Sequence, residues 1–215
     1  MLSNFKVTLT KHINNNINTY MLLFLAFTVG ICAGAFTVNG LSFNQSSELT
    51  NYFYGFLNLI NHQNIDSVEL FKITVIENFK LIALLWVLGV TIIGVPFIYI
   101  AVGIKGFVTG FSSGFIVAAC GIKGVLFVFL STLPKEIIIV PFIIALGVSG
   151  INFSLTILKS RSNRLPSKIS LKSSFAAYCL VTALFSIMIL VGALFESYVS
   201  PMFIKMIAPL ITGFK

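Results

Sequence analysis

Apolar residues run in long stretches along this chain, and polar residues are concentrated between them. Five stretches approach or exceed the roughly 20 residues that a helix needs to cross a bilayer: 20–41, 81–104, 106–130, 137–158 and 173–195. Strands that cross a membrane are shorter and alternate between apolar and polar positions. The pattern therefore predicts an all-α polytopic membrane protein with about five transmembrane helices, forming a single integral membrane domain over residues 1–215.

Two further segments are less continuously apolar but keep a helical period. In 42–78, apolar residues recur every three or four positions, which predicts two amphipathic helices joined by a turn at Asn61–Asn64, the second running into the next span. The C-terminal segment, 200–215, is apolar and broken at Pro209. Such segments typically lie along a membrane surface.

The basic residues predict which side each loop faces. Lysine and arginine are enriched in short cytoplasmic loops, and one linker holds five of them without an acid. Counting spans from this linker places the N-terminus and Lys105 inside, and it places 42–78 and the C-terminus outside. Anionic-lipid binding is a second role for this linker. Its basic residues are Lys159, Arg161, Arg164, Lys168 and Lys172.

Composition agrees with a membrane location and excludes other classes. Only 9% of residues are charged, against about 25% in soluble domains, and the mean hydropathy is +1.01. The net charge of +8 does not indicate nucleic-acid binding, because the basic residues form no patch with stacking aromatics. The N-terminal apolar run continues past the small residues at 33–35, which favours an uncleaved first helix over a signal peptide.

Glycines recur at helical spacing in two of the predicted spans. Gly106, Gly110 and Gly114 share one helical face, and Gly30 and Gly34 share another. Small residues let helix backbones approach closely in lipid. We therefore predict these five as helix-packing residues. Packing within the chain is favoured, and a homo-oligomer held by the same face stays open.

Catalytic and metal-binding patterns are not found in the sequence. The spans contain no His and no Asp, and the three Cys lack metal-ligand spacing. Glu136 and Glu196 fall at predicted membrane edges, where acids are usually interfacial. No cofactor, no metal and no enzymatic activity are expected. Whether 123–136 is re-entrant or continues a span stays open at this point.

Aromatic residues cluster in the first amphipathic helix. Tyr52, Phe53, Tyr54 and Phe56 exceed what one helical stripe can bury. They are candidates for partner binding, since aromatic anchors dominate protein interfaces. The alternative is an aromatic belt at the membrane surface.

Several blocks resemble the stage II sporulation protein M family. They are LLWVLGVTIIGVP (84–96), KGFVTGFSSGF (105–115) and the spacing of LPKEIIIVP (133–141). In the third block, Lys135 and Glu136 stand where the wider family often has His and Gly. The resemblance covers nearly the whole chain.

The resemblance implies a multi-pass protein of the cell membrane that acts in sporulation. Family members resemble a scaffold on the mother-cell side of the septum, where they recruit membrane-anchored peptidoglycan-degrading proteins during engulfment of the forespore. The alternative from another class is a small transporter or permease, which a weak repeat of VPFI (95–98 and 140–143) supports. A polar cavity at mid-membrane would favour the transporter, and the sequence shows no charged cluster in the spans.

Overall fold

The computed structural model of the protein describes residues 16–62, 67–161 and 171–212, and these residues contain no strand. Their α-helices are α1 (Ile17–Thr37), α2 (Phe43–His62), α3 (Ser67–Val90), α4 (Gly94–Cys120), α5 (Ile122–Ser131), α6 (Leu133–Arg161), α7 (Leu171–Tyr198) and α8 (Ser200–Thr212). A short 3-10 turn, Val38–Gly40, follows α1.

Five stretches of the described chain are long and apolar enough to cross a membrane: Ile17–Gly40, Val68–Val90, Gly94–Cys120, Leu133–Arg161 and Leu171–Ile207. They confirm the predicted all-α polytopic fold. With alternating directions, the start of α1 and the turn between α3 and α4 face one side. The helices α2, α5 and α8 lie at the other side, which we call the outer side after the basic-residue prediction.

The span boundary predicted at Lys105 is wrong. The break lies earlier, between Val90 and Gly94, and Lys105 is inside α4. Pro96 is the third residue of α4, where its missing N–H takes nothing from the helix because the first N–H groups have no intrahelical partner. Helix α6 stabilises the break, since the Ser154 hydroxyl donates a hydrogen bond to the Thr91 carbonyl at 2.7 Å.

The stretch predicted as a span over 106–130 is two helices. α4 ends at Gly121, whose φ of 58° is the left-handed conformation that glycine adopts without strain. The chain then folds back onto α4. The two backbones come so close that a β-carbon placed on Gly124 would lie 2.9 Å from the Cα of Val117. Helix α5 is therefore a separate short helix packed on the outer end of α4. The open stretch 123–136 is thus divided between α5 and the first residues of α6, and its placement relative to the membrane stays a prediction.

Helix α6 is the centre of the bundle. Every residue from 143 to 151 is buried, and Leu146 and Val148 are fully enclosed. Leu23 of α1 and Ile98 of α4 reach the same core, with Leu85 and Ile189 completing it from α3 and α7. The described helices thus form one apolar core around a single central helix.

A second, smaller core joins the outer helices. Leu57 of α2, Phe127 of α5, and Ile207 and Ile211 of α8 pack together. The C-terminal segment predicted as an interfacial piece is thus helix α8 up to Thr212, docked on α2 and α5. Residues 63–66, in the predicted turn after α2, and residues 213–215 lie outside the described residues.

Candidate functional site

The predicted packing glycines lie at the contact between α1 and α4. Gly30, Gly34, Gly106 and Gly110 are buried, and Gly114 is partly buried. The two helices run in parallel: a β-carbon at Gly106 would collide with the carbonyl oxygen of Phe27, one at Gly110 with Ile31, and one at Gly114 would meet Ala35. The partner of each glycine face is therefore inside the chain.

The predicted partner-binding aromatics separate into two pairs. Tyr52 and Phe56 point outward, with 72% and 47% of their surface exposed. Phe53 packs edge-on against Phe127, with ring centroids 5.6 Å apart. Tyr54 is partly buried, and burial, reinforced by the neighbouring Cys120, raises the pKa of its phenol. Phe53 and Tyr54 hold α2 in place, so Tyr52 and Phe56 form the free face.

The predicted basic linker is only partly described. Lys159 and Arg161 end α6 and are both exposed, as is Lys172 near the start of α7. Arg164 and Lys168 lie outside the described residues. The described basic residues therefore extend from the ends of two spans, as expected of a topology signal.

The structure also reveals a charged cluster that sequence reasoning missed. Lys105 Nζ lies 3.7 Å from Glu136 Oε1, and Lys135 forms an ion pair with Glu196. The prediction that the spans hold no charged cluster is wrong, because Lys105 and Glu136 both lie in helices long enough to span a membrane; that Glu136 and Glu196 are interfacial stays a prediction. The available signal was Lys105 itself, because a lysine within a span requires a partner.

The depth of Lys105 follows from the helix geometry. It lies about 17 Å along the axis from Gly94 and about 23 Å from Cys120, at 1.5 Å per residue. A second measure agrees: Gly106 meets Phe27, the middle residue of α1. Lys105 is therefore near the middle of α4, a helix long and apolar enough to cross a membrane. Glu136 reaches it from the first turn of α6.

Helix dipoles explain how the charges are arranged. Glu136 lies at the N-terminus of α6, where the partial positive charge of the helix favours a carboxylate. Lys135 lies at the same N-terminus, where a positive charge is unfavourable. Glu196 lies near the C-terminus of α7, where a negative charge is unfavourable. Pairing Lys135 with Glu196 offsets both.

These charges line a cavity of about 540 Å³ between α3, α4, α6 and α7. Leu84 and Ala101 lie at its deep end, and Glu77, Ser112 and Glu196 lie toward the outer ends of their helices. Its volume lies within the range of small-molecule sites. The charged and amide residues that line it are Glu77, Asn78, Lys105, Lys135, Glu136 and Glu196.

Hydrogen bonds leave one acceptor of this cavity free. The Thr109 hydroxyl lies 3.1 Å from the Lys105 carbonyl and 3.3 Å from Glu136 Oε1, and it can donate to only one of them. Asn78 donates from Nδ2 to the Thr74 carbonyl at 2.9 Å. Glu136 Oε2 is buried without a hydrogen-bond partner among the described residues. The cavity can therefore still accept a hydrogen bond at Glu136 Oε2.

No cluster of three or more metal-ligating side chains occurs in the described part of the chain. The chemistry that the cavity does support is the binding of charge, by two ammonium groups and three carboxylates set against apolar walls.

Residues 23–201 match the family model of Stage II sporulation protein M. The match includes all five predicted packing glycines, the outer aromatics and the charged cavity. The chain therefore belongs to the stage II sporulation protein M family, a family of sporulation-related proteins, and it is a multi-pass membrane protein. No curated protein and no solved structure matches the chain.

Proposed function

We propose that this protein is a non-enzymatic scaffold of the sporulation septum. In this role it holds membrane-anchored peptidoglycan-degrading proteins at the septal membrane, on the mother-cell side, during engulfment. Family membership over residues 23–201 is the observation that carries the proposal. In this proposal, degradation is carried out by the partners.

The outer helices supply a surface on which partners can assemble. Helix α2 is fixed through Phe53 and Leu57, so its opposite face is presented on a rigid support. Tyr52 and Phe56 stand on that face beside Glu48 and Asn51, around a shallow groove. An aromatic centre with a polar rim is typical of protein interfaces.

Affinity capture from sporulating cells tests the proposal. The full chain should retain peptidoglycan-degrading proteins, and the double variant Tyr52→Ala, Phe56→Ala should retain several-fold less, since truncated aromatic anchors often cost about 2 kcal/mol. The control is Phe24→Ala, an exposed aromatic on α1, outside α2 and its groove. If the double variant captures as much as the control, α2 is not the contact. If the full chain captures no such protein, the scaffold proposal fails.

A small transporter is the second candidate, and the charged cavity between four candidate spans favours it. A transporter must open its site to both sides in turn. Here residues 143–151 of α6 are all buried, and none of them lines the charged cavity. Ion flux through proteoliposomes that contain the purified chain distinguishes the two candidates, because a scaffold should add no flux over empty vesicles.

A further inference from the structure

We infer that the cavity between α3, α4, α6 and α7 is a binding site for a small organic ammonium ion. Such a site would exist whether or not the protein acts as a scaffold. Three features define its ligand: the charge of the lining, the free acceptor on Glu136, and the apolar walls beside the acids.

The charge balance favours a cation. The lining carries three carboxylates and two ammonium groups, so its formal charge is negative. Both lysines are already engaged, Lys105 with Glu136 and Lys135 with Glu196. The described residues include no ion pair to Glu77, which faces the same cavity. An added anion would have to displace a carboxylate from a lysine, whereas an added cation meets acids that have spare capacity.

The geometry favours a cation that donates hydrogen bonds. Glu136 Oε2 is buried and has no partner among the described residues, and the Glu136 side chain is only 12% exposed. A buried carboxylate oxygen without a donor is costly. A primary ammonium has N–H groups to satisfy it, and a charge-assisted bond of this kind is stronger than a neutral one. A quaternary ammonium has no N–H and cannot make it.

The remaining walls favour an organic rather than an inorganic ion. Leu81 and Leu84 of α3, Ile104 and Val108 of α4, and Ile139 of α6 line the cavity beside the acids. A bare metal ion would fill little of the space and would leave these side chains unmatched. An alkyl group of a few carbons can contact them while its ammonium reaches Glu136.

Equilibrium dialysis with radiolabelled n-butylammonium, on the full chain in lipid nanodiscs, tests the inference. Binding should saturate at one probe per chain. An excess of unlabelled n-butylammonium should displace the label, and equal concentrations of tetramethylammonium or butyrate should not. Empty nanodiscs correct for partition into lipid. Absence of saturable binding, or displacement by butyrate, would overturn the inference.

Charge-removing variants locate the site. Glu136→Gln keeps the shape of the side chain and should weaken binding about tenfold or more, because the bond is to a charged group. Glu77→Gln, at the cavity mouth, should weaken it about two- to fivefold. The control Glu48→Gln, on α2 outside the cavity, should bind like the parent. If Glu136→Gln does not fold, Glu77→Gln decides, and an unchanged dissociation constant there would refute the site.

Discussion

Replacing Gly110 with alanine tests the close contact between α1 and α4. A β-carbon at Gly110 would lie 2.7 Å from the Cα of Ile31, whereas ordinary contacts begin at 3.4 Å. Both partners are backbone, so no side chain can rotate away. The carbonyl oxygen of Ile31 would lie closer still, so the helices must separate locally by at least about 0.7 Å. A gap of about 0.5–1 Å forfeits a quarter to a half of the dispersion energy at each contact.

The cost can be worked from that separation. A seam equivalent to one buried leucine makes about 40–60 atom contacts of about 0.1–0.2 kcal/mol each, so losing a quarter of them costs at least about 1 kcal/mol. Overpacking in protein cores typically costs about 1–3 kcal/mol. We expect Gly110→Ala to lower the free energy of unfolding by an amount in that range, despite the better helix propensity of alanine.

Gly103 provides a matched control on the same helix. A β-carbon there would lie 3.6 Å from the carbonyl oxygen of Ala26, which is an ordinary contact. Gly103→Ala should therefore be neutral or stabilising. Unfolding of both variants can be followed in detergent by circular dichroism and by size-exclusion chromatography after heating. If Gly110→Ala and Gly103→Ala unfold alike, the glycines do not set the distance between the helices.

Three other outcomes follow from the same structure. Lys105→Met should lower thermal stability in detergent more than the double variant Lys105→Met, Glu136→Gln does, because the single variant leaves a buried charge without its partner. Equal losses would contradict the pairing. Tyr54→Ala should lower stability in the same assay and Tyr52→Ala should not, since only the first removes a packed side chain. A single cysteine placed within 162–170, in a chain lacking its native cysteines, should resist an impermeant maleimide in intact cells, and its labelling would reverse the orientation.

The helices could be predicted largely from the sequence because each apolar run is about as long as a membrane-spanning helix, which few other structural elements are. The error at Lys105 has a physical cause. A charge inside an apolar run costs free energy, so the sequence pattern predicts a span boundary at Lys105. The compensating carboxylate of Glu136 comes from another helix, 31 residues further along the chain. No local pattern connects the two residues, and so the cavity could not be predicted.

Periodicity likewise limited what could be predicted about the surfaces. Four-residue glycine spacing indicates a smooth helix face, but it does not identify the opposing helix, and the structure places Gly30 and Gly106 in one seam. Consecutive aromatic residues indicate that a helix has rings on more than one face. Which rings are buried depends on α5, because its Phe127 packs against Phe53.

The scaffold proposal is tested most directly by the position of a partner in the cell. The measurement is the fluorescence of a peptidoglycan-degrading protein, first captured with the chain, in sporulating cells with and without the chain. The partner should concentrate at the septal membrane when the chain is present and spread over the membrane at equal abundance when it is absent. A partner that stays at the septum without the chain would contradict the proposal.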